Sequence, residues 1–236
     1  MVFGGVQKFT LLDYPEKTAC TLFTKGCNFR CPFCQNSSLI YSDNAEKSDD
    51  SVQMISASEI FEFLETRRGL LDGVCISGGE PLLHDELGKF TEEVKTMGFL
   101  VKLDTNGSKP DKLRKLIASG TIDYIAMDIK NTPEKYAQTA GLPDLNISLI
   151  EESVEILLLS TVPYEFRTTV VRELHSSADL VSIARWLSGA GNYYLQGFVN
   201  SDGVPQNGLH GYSDKEMNQF LDSVKKVLPS AELRGV

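Results

Sequence analysis

Two periods of apolar positions alternate along this chain. Short runs rich in Val, Ile, Leu, Phe and Thr read as strands over 17–24, 74–76, 99–104, 124–129, 166–171 and 193–198. Between them lie longer stretches with apolar residues three and four apart, bounded by helix start and stop signals. Ser56-x-x-Glu59 is a capping-box pattern opening a helix that carries Ile60, Phe61, Phe63 and Leu64 and stops near Gly69. A second helix covers about 85–97, and a third starts at Pro110 and ends at Gly120. Ser148-x-x-Glu151 opens a helix over 149–159, Ser177 caps one through Trp186, and Ser213-x-x-Glu216 caps the last, which ends before Pro229. Residues 36–53 are polar and predict a surface excursion.

Strands separated by helices, repeated about six times, imply a parallel sheet with helices outside. Right-handed crossovers curl such a sheet into a partial barrel. The expectation is an α/β fold, a partial (β/α)6 barrel in one domain over 1–236, with a C-terminal loop and helix at 199–228. An apolar content of 42% is ample for its core. Polar motifs fall after strands, where α/β barrels place their active sites. They are Ser77-Gly78-Gly79-Glu80-Pro81, Asp104-Thr105-Asn106-Gly107 and Met127-Asp128-Ile129-Lys130.

A formal charge of −9 with no basic stripe argues against nucleic acid as a partner. No window approaches the apolar length of a membrane span, and the start lacks a charged region followed by an apolar run. A soluble, cytoplasmic protein is expected, and free cysteines suit that reducing compartment.

The densest chemistry is Gly26-Cys27-Asn28-Phe29-Arg30-Cys31-Pro32-Phe33-Cys34-Gln35-Asn36, a C-x3-C-x2-C spacing in a loop over 26–36. Thiolates so close together can converge on zinc, copper(I) or an iron–sulfur cluster. A closed zinc site or a [4Fe–4S] cluster with full protein ligation wants four ligands. Only three thiols stand at ligand spacing here, so a cluster would keep one iron open for chemistry. A zinc site completed by a distant histidine is the alternative. A disulfide framework is disfavoured, because five cysteines is an odd number.

Cys27-x3-Cys31-x-Phe33-Cys34, with an aromatic residue before the last cysteine, resembles the cluster motif of the radical S-adenosylmethionine (radical SAM) enzymes. Lys8-Phe9-Thr10-Leu11-Leu12-Asp13-Tyr14-Pro15, leading into Thr24-Lys25-Gly26-Cys27-Asn28-Phe29-Arg30-Cys31-Pro32, resembles the activating proteins of anaerobic ribonucleoside-triphosphate reductase within that superfamily. Gln35 stands where relatives often carry histidine.

The resemblance implies a radical SAM partial barrel whose [4Fe–4S] cluster is held by Cys27, Cys31 and Cys34. It also implies reductive cleavage of SAM to methionine and a 5′-deoxyadenosyl radical, which draws a hydrogen from a glycine of a large glycyl radical enzyme. A flavodoxin-like or other low-potential donor would supply the electron. Gly78, Gly79 and Glu80 match the GGE motif at the amino end of SAM. Two glycines let a ligand approach the backbone, and a carboxylate can accept from an ammonium. Asp104, Thr105, Asn106, Asp128 and Lys130 match stretches around the SAM ribose and carboxylate, and the two aspartates match a site that can hold a monovalent cation. From the residues alone, strand-end aspartates are usually loop caps. Arg167, a charge in an apolar strand, matches an arginine that reaches the SAM carboxylate, although alternation allows it to face outward. Gln196 on the last strand could reach adenine or ribose, and the loop 199–212, rich in Gly, Asn and Pro, is the expected partner contact. Activation of a pyruvate formate-lyase-type enzyme, small-molecule radical chemistry of the carboxydeazaguanine synthase kind, and simple electron transfer are the competing readings.

Cys20 and Cys75 read as small buried residues. His84, His175 and His210 are isolated along the chain and read as structural or solvated.

Overall fold

The computed structural model describes residues 1–40 and 54–235. Most of the polar excursion expected over 36–53 therefore lies outside the described residues. The chain forms β1 (Val2–Thr10), β2 (Ala19–Thr24), β3 (Ile55–Ser56), α1 (Ala57–Glu65), β4 (Gly73–Gly78), α2 (Leu87–Thr96), β5 (Leu100–Thr105) and α3 (Pro110–Ser119). It continues through β6 (Tyr124–Asp128), α4 (Pro133–Ala140), α5 (Ile147–Leu158), β7 (Tyr164–Val170), α6 (Ser177–Trp186), β8 (Tyr193–Gly197), α7 (Asp214–Lys225) and β9 (Ala231–Arg234).

The strands join one sheet in the order β3-β1-β2-β4-β5-β6-β7-β8-β9. From β2 to β9 every neighbouring pair is parallel, and β1 is antiparallel to both β2 and β3. The expected six parallel strands are present as β2, β4, β5, β6, β7 and β8, in the order that right-handed βαβ crossovers produce.

Four elements escape the sequence reading. Strand β1 mixes Gly4, Gly5, Gln7 and Lys8 among its apolar positions, so its pattern is blurred. Two residues of β3 and four of β9 are too short for periodicity to register. Helix α4 has eight residues of low apolar content and starts at a proline, which reads equally as a turn. Two caps also shift. Helix α5 starts at Ile147 under Asn146, whose side-chain oxygen accepts from the Ser148 N–H and so takes the cap two residues before Ser148. Helix α6 is capped by Ser176, not Ser177, because Asp179 closes a reciprocal capping box with Ser176.

The outer face of the sheet holds the apolar core. Val101, Leu103, Ile125, Met127, Phe166 and Leu195 are all fully buried. Phe90 of α2 meets Phe3 at 5.0 Å and stacks on Phe61 at 5.1 Å, so the antiparallel edge is pinned by aromatic packing. Among the described residues no helix is long and apolar enough to cross a membrane.

Candidate active site

The cysteine loop begins where β2 ends and is moored on several sides by backbone hydrogen bonds. Gly79 N–H donates to Thr24 O at 2.9 Å and Glu80 N–H to Gly26 O at 2.8 Å. Gly26 N–H reaches Leu39 O, and Arg30 N–H reaches Ala140 O at the end of α4. His84 Nε2 donates to Lys25 O at 3.0 Å. A Cβ on Gly79 would lie 2.0 Å from Gly26 O, and one on Gly78, at φ +101°, would lie 2.5 Å from Thr24 N. The two glycines therefore admit the cysteine loop to the end of β4, while also lining the cavity where the sequence reading expects a ligand.

Glu80 is fully buried and serves the same junction. Its Oε1 accepts from Thr105 Oγ1 at 2.8 Å and Leu82 N at 3.0 Å, and its Oε2 accepts from Asn106 N at 2.7 Å. Burial pushes this carboxyl up to about 7, against the pull of its Asn106, Thr105 and Leu82 donors. The expected reach of Glu80 toward an ammonium thus meets a carboxylate already accepting from three protein groups. Asn106 carries the network onward: its Nδ2 donates to Asn28 Oδ1 at 3.0 Å and lies 3.8 Å from Cys27 Sγ, while Asn28 Nδ2 donates to Ser108 Oγ.

Cys27, Cys31 and Cys34 line one cavity of about 170 Å³ at the C-terminal ends of the strands, together with Gly78, Gly79, Glu80, Asp104, Thr105, Asn106, Asp128, Lys130 and Arg167. Burial pushes all three thiols up, Cys31 to about 12, while Lys130 pulls each back. Buried soft donors of this kind suit a thiophilic metal cluster, which takes the thiolate form and relieves the cost of burying it. Among the described residues no three His, Cys, Asp or Glu side chains converge as ligands of a single metal ion.

The lower wall is charged. Asp104 accepts from Lys102 Nζ, from Ser77 Oγ at 3.0 Å and from Arg167 Nη1 at 3.4 Å. Asp128 accepts from Arg167 Nε at 2.9 Å and from Lys130 Nζ at 3.0 Å. Burial raises both carboxyls, but the adjacent cations overcome it and hold them below the usual range; Arg167 acts most strongly on each, seconded by Lys102 at Asp104 and by Lys130 at Asp128. Arg167 therefore faces inward, which alternation left open.

Two expectations lie apart from this cavity. Gln196 of β8 is not among its lining residues; Thr169 of β7 is. The loop 199–212 does not line it either, but it is bound to its rim. Gln35 Nε2 donates to Val199 O at 2.7 Å, Ser201 Oγ donates to Gln35 Oε1 at 2.8 Å, and Gln206 N–H donates to Pro32 O at 3.1 Å. Asn28 and Ser77 stood inside the motifs without a role of their own, and Lys102 and Ser108 were missed. Of the two missed residues Lys102 carries a signal, as a second charge in an apolar strand two residues before Asp104. Cys20 and Cys75 are buried, as expected. His175 is buried with Nε2 against Lys130 O, and His210 is exposed beside Glu173.

A parallel partial barrel that gathers three thiols and a charged wall at the C-terminal ends of its strands is the arrangement of a cofactor-binding enzyme. The chain belongs to the radical SAM superfamily, whose family model matches residues 21–185. It is 27% identical to a Methanocaldococcus jannaschii protein that carries the provisional name of a glycyl-radical enzyme activating enzyme, over 99% of this chain and 95% of that one. It is 25% identical to the 7-carboxy-7-deazaguanine synthase of Thermoplasma acidophilum over 69% of this chain and 71% of the relative. Among solved structures, QueE from Escherichia coli matches with a TM-score of 0.58 at 14% identity, covering 100% of this chain and 94% of that one. SuiB from Streptococcus suis matches with a TM-score of 0.66 at 13% identity, covering 89% of this chain and 47% of SuiB. Both structural likenesses bear on the fold alone. Membership of the superfamily implies a [4Fe–4S] cluster and SAM.

Proposed function

We propose that this protein is an activase that generates a glycyl radical on a large partner enzyme, anaerobic ribonucleoside-triphosphate reductase. Cys27, Cys31 and Cys34 would hold the cluster, which when bound supplies the electron that cleaves SAM. Arg167 and Lys130, the cations on the cavity wall, would receive the SAM carboxylate. Asn106 orients Cys27 and, through its N–H on Glu80, locks the β5 end to the β4 turn. Thr105 adds a second bond to Glu80, so the SAM-facing turn and the cysteine loop hold one geometry.

The observation that carries the protein-substrate reading is the mooring of the loop 199–206 on the cysteine loop through Gln35 and Pro32. A protein docked on that loop would stand directly over the cavity mouth. The full-length likeness to the Methanocaldococcus jannaschii relative supports an activase, and the Asp13-Tyr14-Pro15 lead-in supports the reductase as its target. One domain over 1–236, a cytoplasmic setting and a flavodoxin-like or other low-potential electron donor complete the reading.

The test is to incubate the anaerobically reconstituted protein with SAM, a low-potential reductant and the reductase of the same genome. A glycyl radical signal by electron paramagnetic resonance is expected, and none with the partner glycine changed to alanine. The likeness to 7-carboxy-7-deazaguanine synthase favours a second reading, in which a small molecule is consumed. SAM cleavage with loss of a metabolite and no partner radical would establish that reading instead.

A further inference from the structure

Two aspartates at the mouth of a barrel form a natural seat for a small cation, and the arrangement around Asp104 and Asp128 bears on whether one is needed. Every carboxylate oxygen of the pair already meets a protein cation. Asp104 Oδ1 is bonded to Lys102 Nζ, and Oδ2 faces Arg167 Nη1. Asp128 Oδ1 is 2.9 Å from Arg167 and Oδ2 is 3.0 Å from Lys130. Ser77 Oγ adds a neutral donor to Asp104. Among the described residues no buried side-chain nitrogen or oxygen lacks a partner.

Lys102 is the informative member. It lies on β5 with its side chain 1% exposed, and besides Asp104 its ammonium meets Cys75 Sγ at 3.8 Å. A lysine so deep is retained only with a paired charge, since an unpaired ammonium there would be strongly disfavoured. Glu165, the other buried carboxylate near Arg167, is already bidentate with Arg234 at 2.7 and 2.9 Å and accepts from Tyr124. It therefore cannot absorb the charge of Lys102. Around the two aspartates three cations stand against two carboxylates; Glu165, 3.9 Å from Arg167 Nη1, is matched by Arg234, and burial pushes the Glu80 carboxyl toward its neutral form, so the pair is already supplied with positive charge and a further cation between Asp104 and Asp128 is disfavoured.

We infer that Lys102, with Arg167 and Lys130, supplies from within the fold the charge that a monovalent cation would bring to Asp104 and Asp128, so that SAM binding by this protein is independent of sodium and potassium. Lys102 is a positioning residue: it holds Asp104, which in turn holds Arg167. The inference rests on SAM as the ligand and not on the identity of any partner enzyme.

SAM affinity of the reconstituted holoprotein, measured by equilibrium dialysis in sodium, potassium and choline chloride at equal ionic strength, is the test. Affinities within about twofold of one another are expected. Saturable tightening by sodium or potassium over choline would overturn the inference, whereas absence of SAM binding in all three salts would overturn both it and the SAM reading. Lys102→Met keeps the length of the side chain and removes its charge. This variant should bind SAM more weakly in choline and recover in sodium or potassium, as the small cation takes the vacated place. Wild-type affinity in all three salts, or a loss that neither cation restores, would overturn the equivalence. Should Lys102→Met fail to fold, the wild-type comparison decides alone.

Discussion

The two faces of the parallel sheet are built from adjacent residues and have opposite chemistry. On β5 the outward residues Val101 and Leu103 are buried under helices, while the inward Lys102 and Asp104 form an ion pair in the lumen. On β7 the outward Phe166 sits between Glu165 and Arg167, both inward and both paired. Parallel strands covered on both faces ordinarily read as unbroken apolar runs. Here both faces are buried and only one is apolar. Burial alone therefore separates nothing, and the alternation of polarity marks the side where a charged ligand is handled.

The comparison can be broken most severely at the thiols. Cys27→Ala, Cys31→Ala and Cys34→Ala should each lose the cluster completely on anaerobic reconstitution, read as iron content and visible absorption. Cys20→Ala and Cys75→Ala should keep it, although Cys75 lies in the lumen itself. Iron retained by any of the first three would dissolve the distinction between mouth and strand.

Next come the neighbours on β7. Phe166→Ala should cost about 3–5 kcal/mol of stability by emptying a buried aromatic site, and SAM affinity of the folded fraction should hold. Arg167→Met should also destabilise, by about 3–5 kcal/mol, because it strands buried carboxylates, but here SAM affinity should fall with it. Chemical denaturation and dialysis of both variants would show whether the two faces are separable.

A smaller effect is tied to pH. Because the Glu80 carboxyl is raised from 4.5 to about 7, the folded protein keeps a proton that the unfolded chain releases earlier. Stability should therefore decline as pH rises from 4.5 toward about 7, by about 3 kcal/mol from this group. Glu80→Gln removes the titration and should flatten that part of the stability curve. An unchanged slope would mean that Glu80 does not titrate there. Smallest of all, Ser213→Ala on the outer helix α7 breaks a capping box and should cost about 1 kcal/mol, leaving cluster content and SAM affinity untouched.

The sequence carried the repeated strand–helix order because six strands and most helices are long enough for their periods to show, and it carried the cysteines because ligand spacing is local. It missed β1 because the antiparallel edge mixes glycines and polar residues, and β9 because four residues have no period. Within the site, the motif positions were legible but their partners were not. Gly79 and Glu80 read as ligand contacts and do line the cavity, but the bonds that Glu80 makes to β5 were not legible, because a motif shows which residues cluster, not which way a carboxylate turns after 26 residues of intervening chain. Lys102 was passed over although it is an odd charge in an apolar strand, because its pairing with Asp104 depends on both side chains entering the lumen.

The approach of Gly79 to Gly26 sets a rule for transplantation. Two segments more than fifty residues apart meet main chain to main chain, with Glu80 N–H on Gly26 O and Gly79 N–H on Thr24 O. No side chain fits between them, since a Cβ on Gly79 would overlap Gly26 O at 2.0 Å. The cysteine loop is thus not a portable cassette. A designer who moved residues 24–36 into another parallel barrel would have to carry residues 78–80 with them, in the same register, or the graft would lose its floor. Lengthening either segment alone would pull the thiols off the lumen, so the two stretches are expected to change length together or not at all.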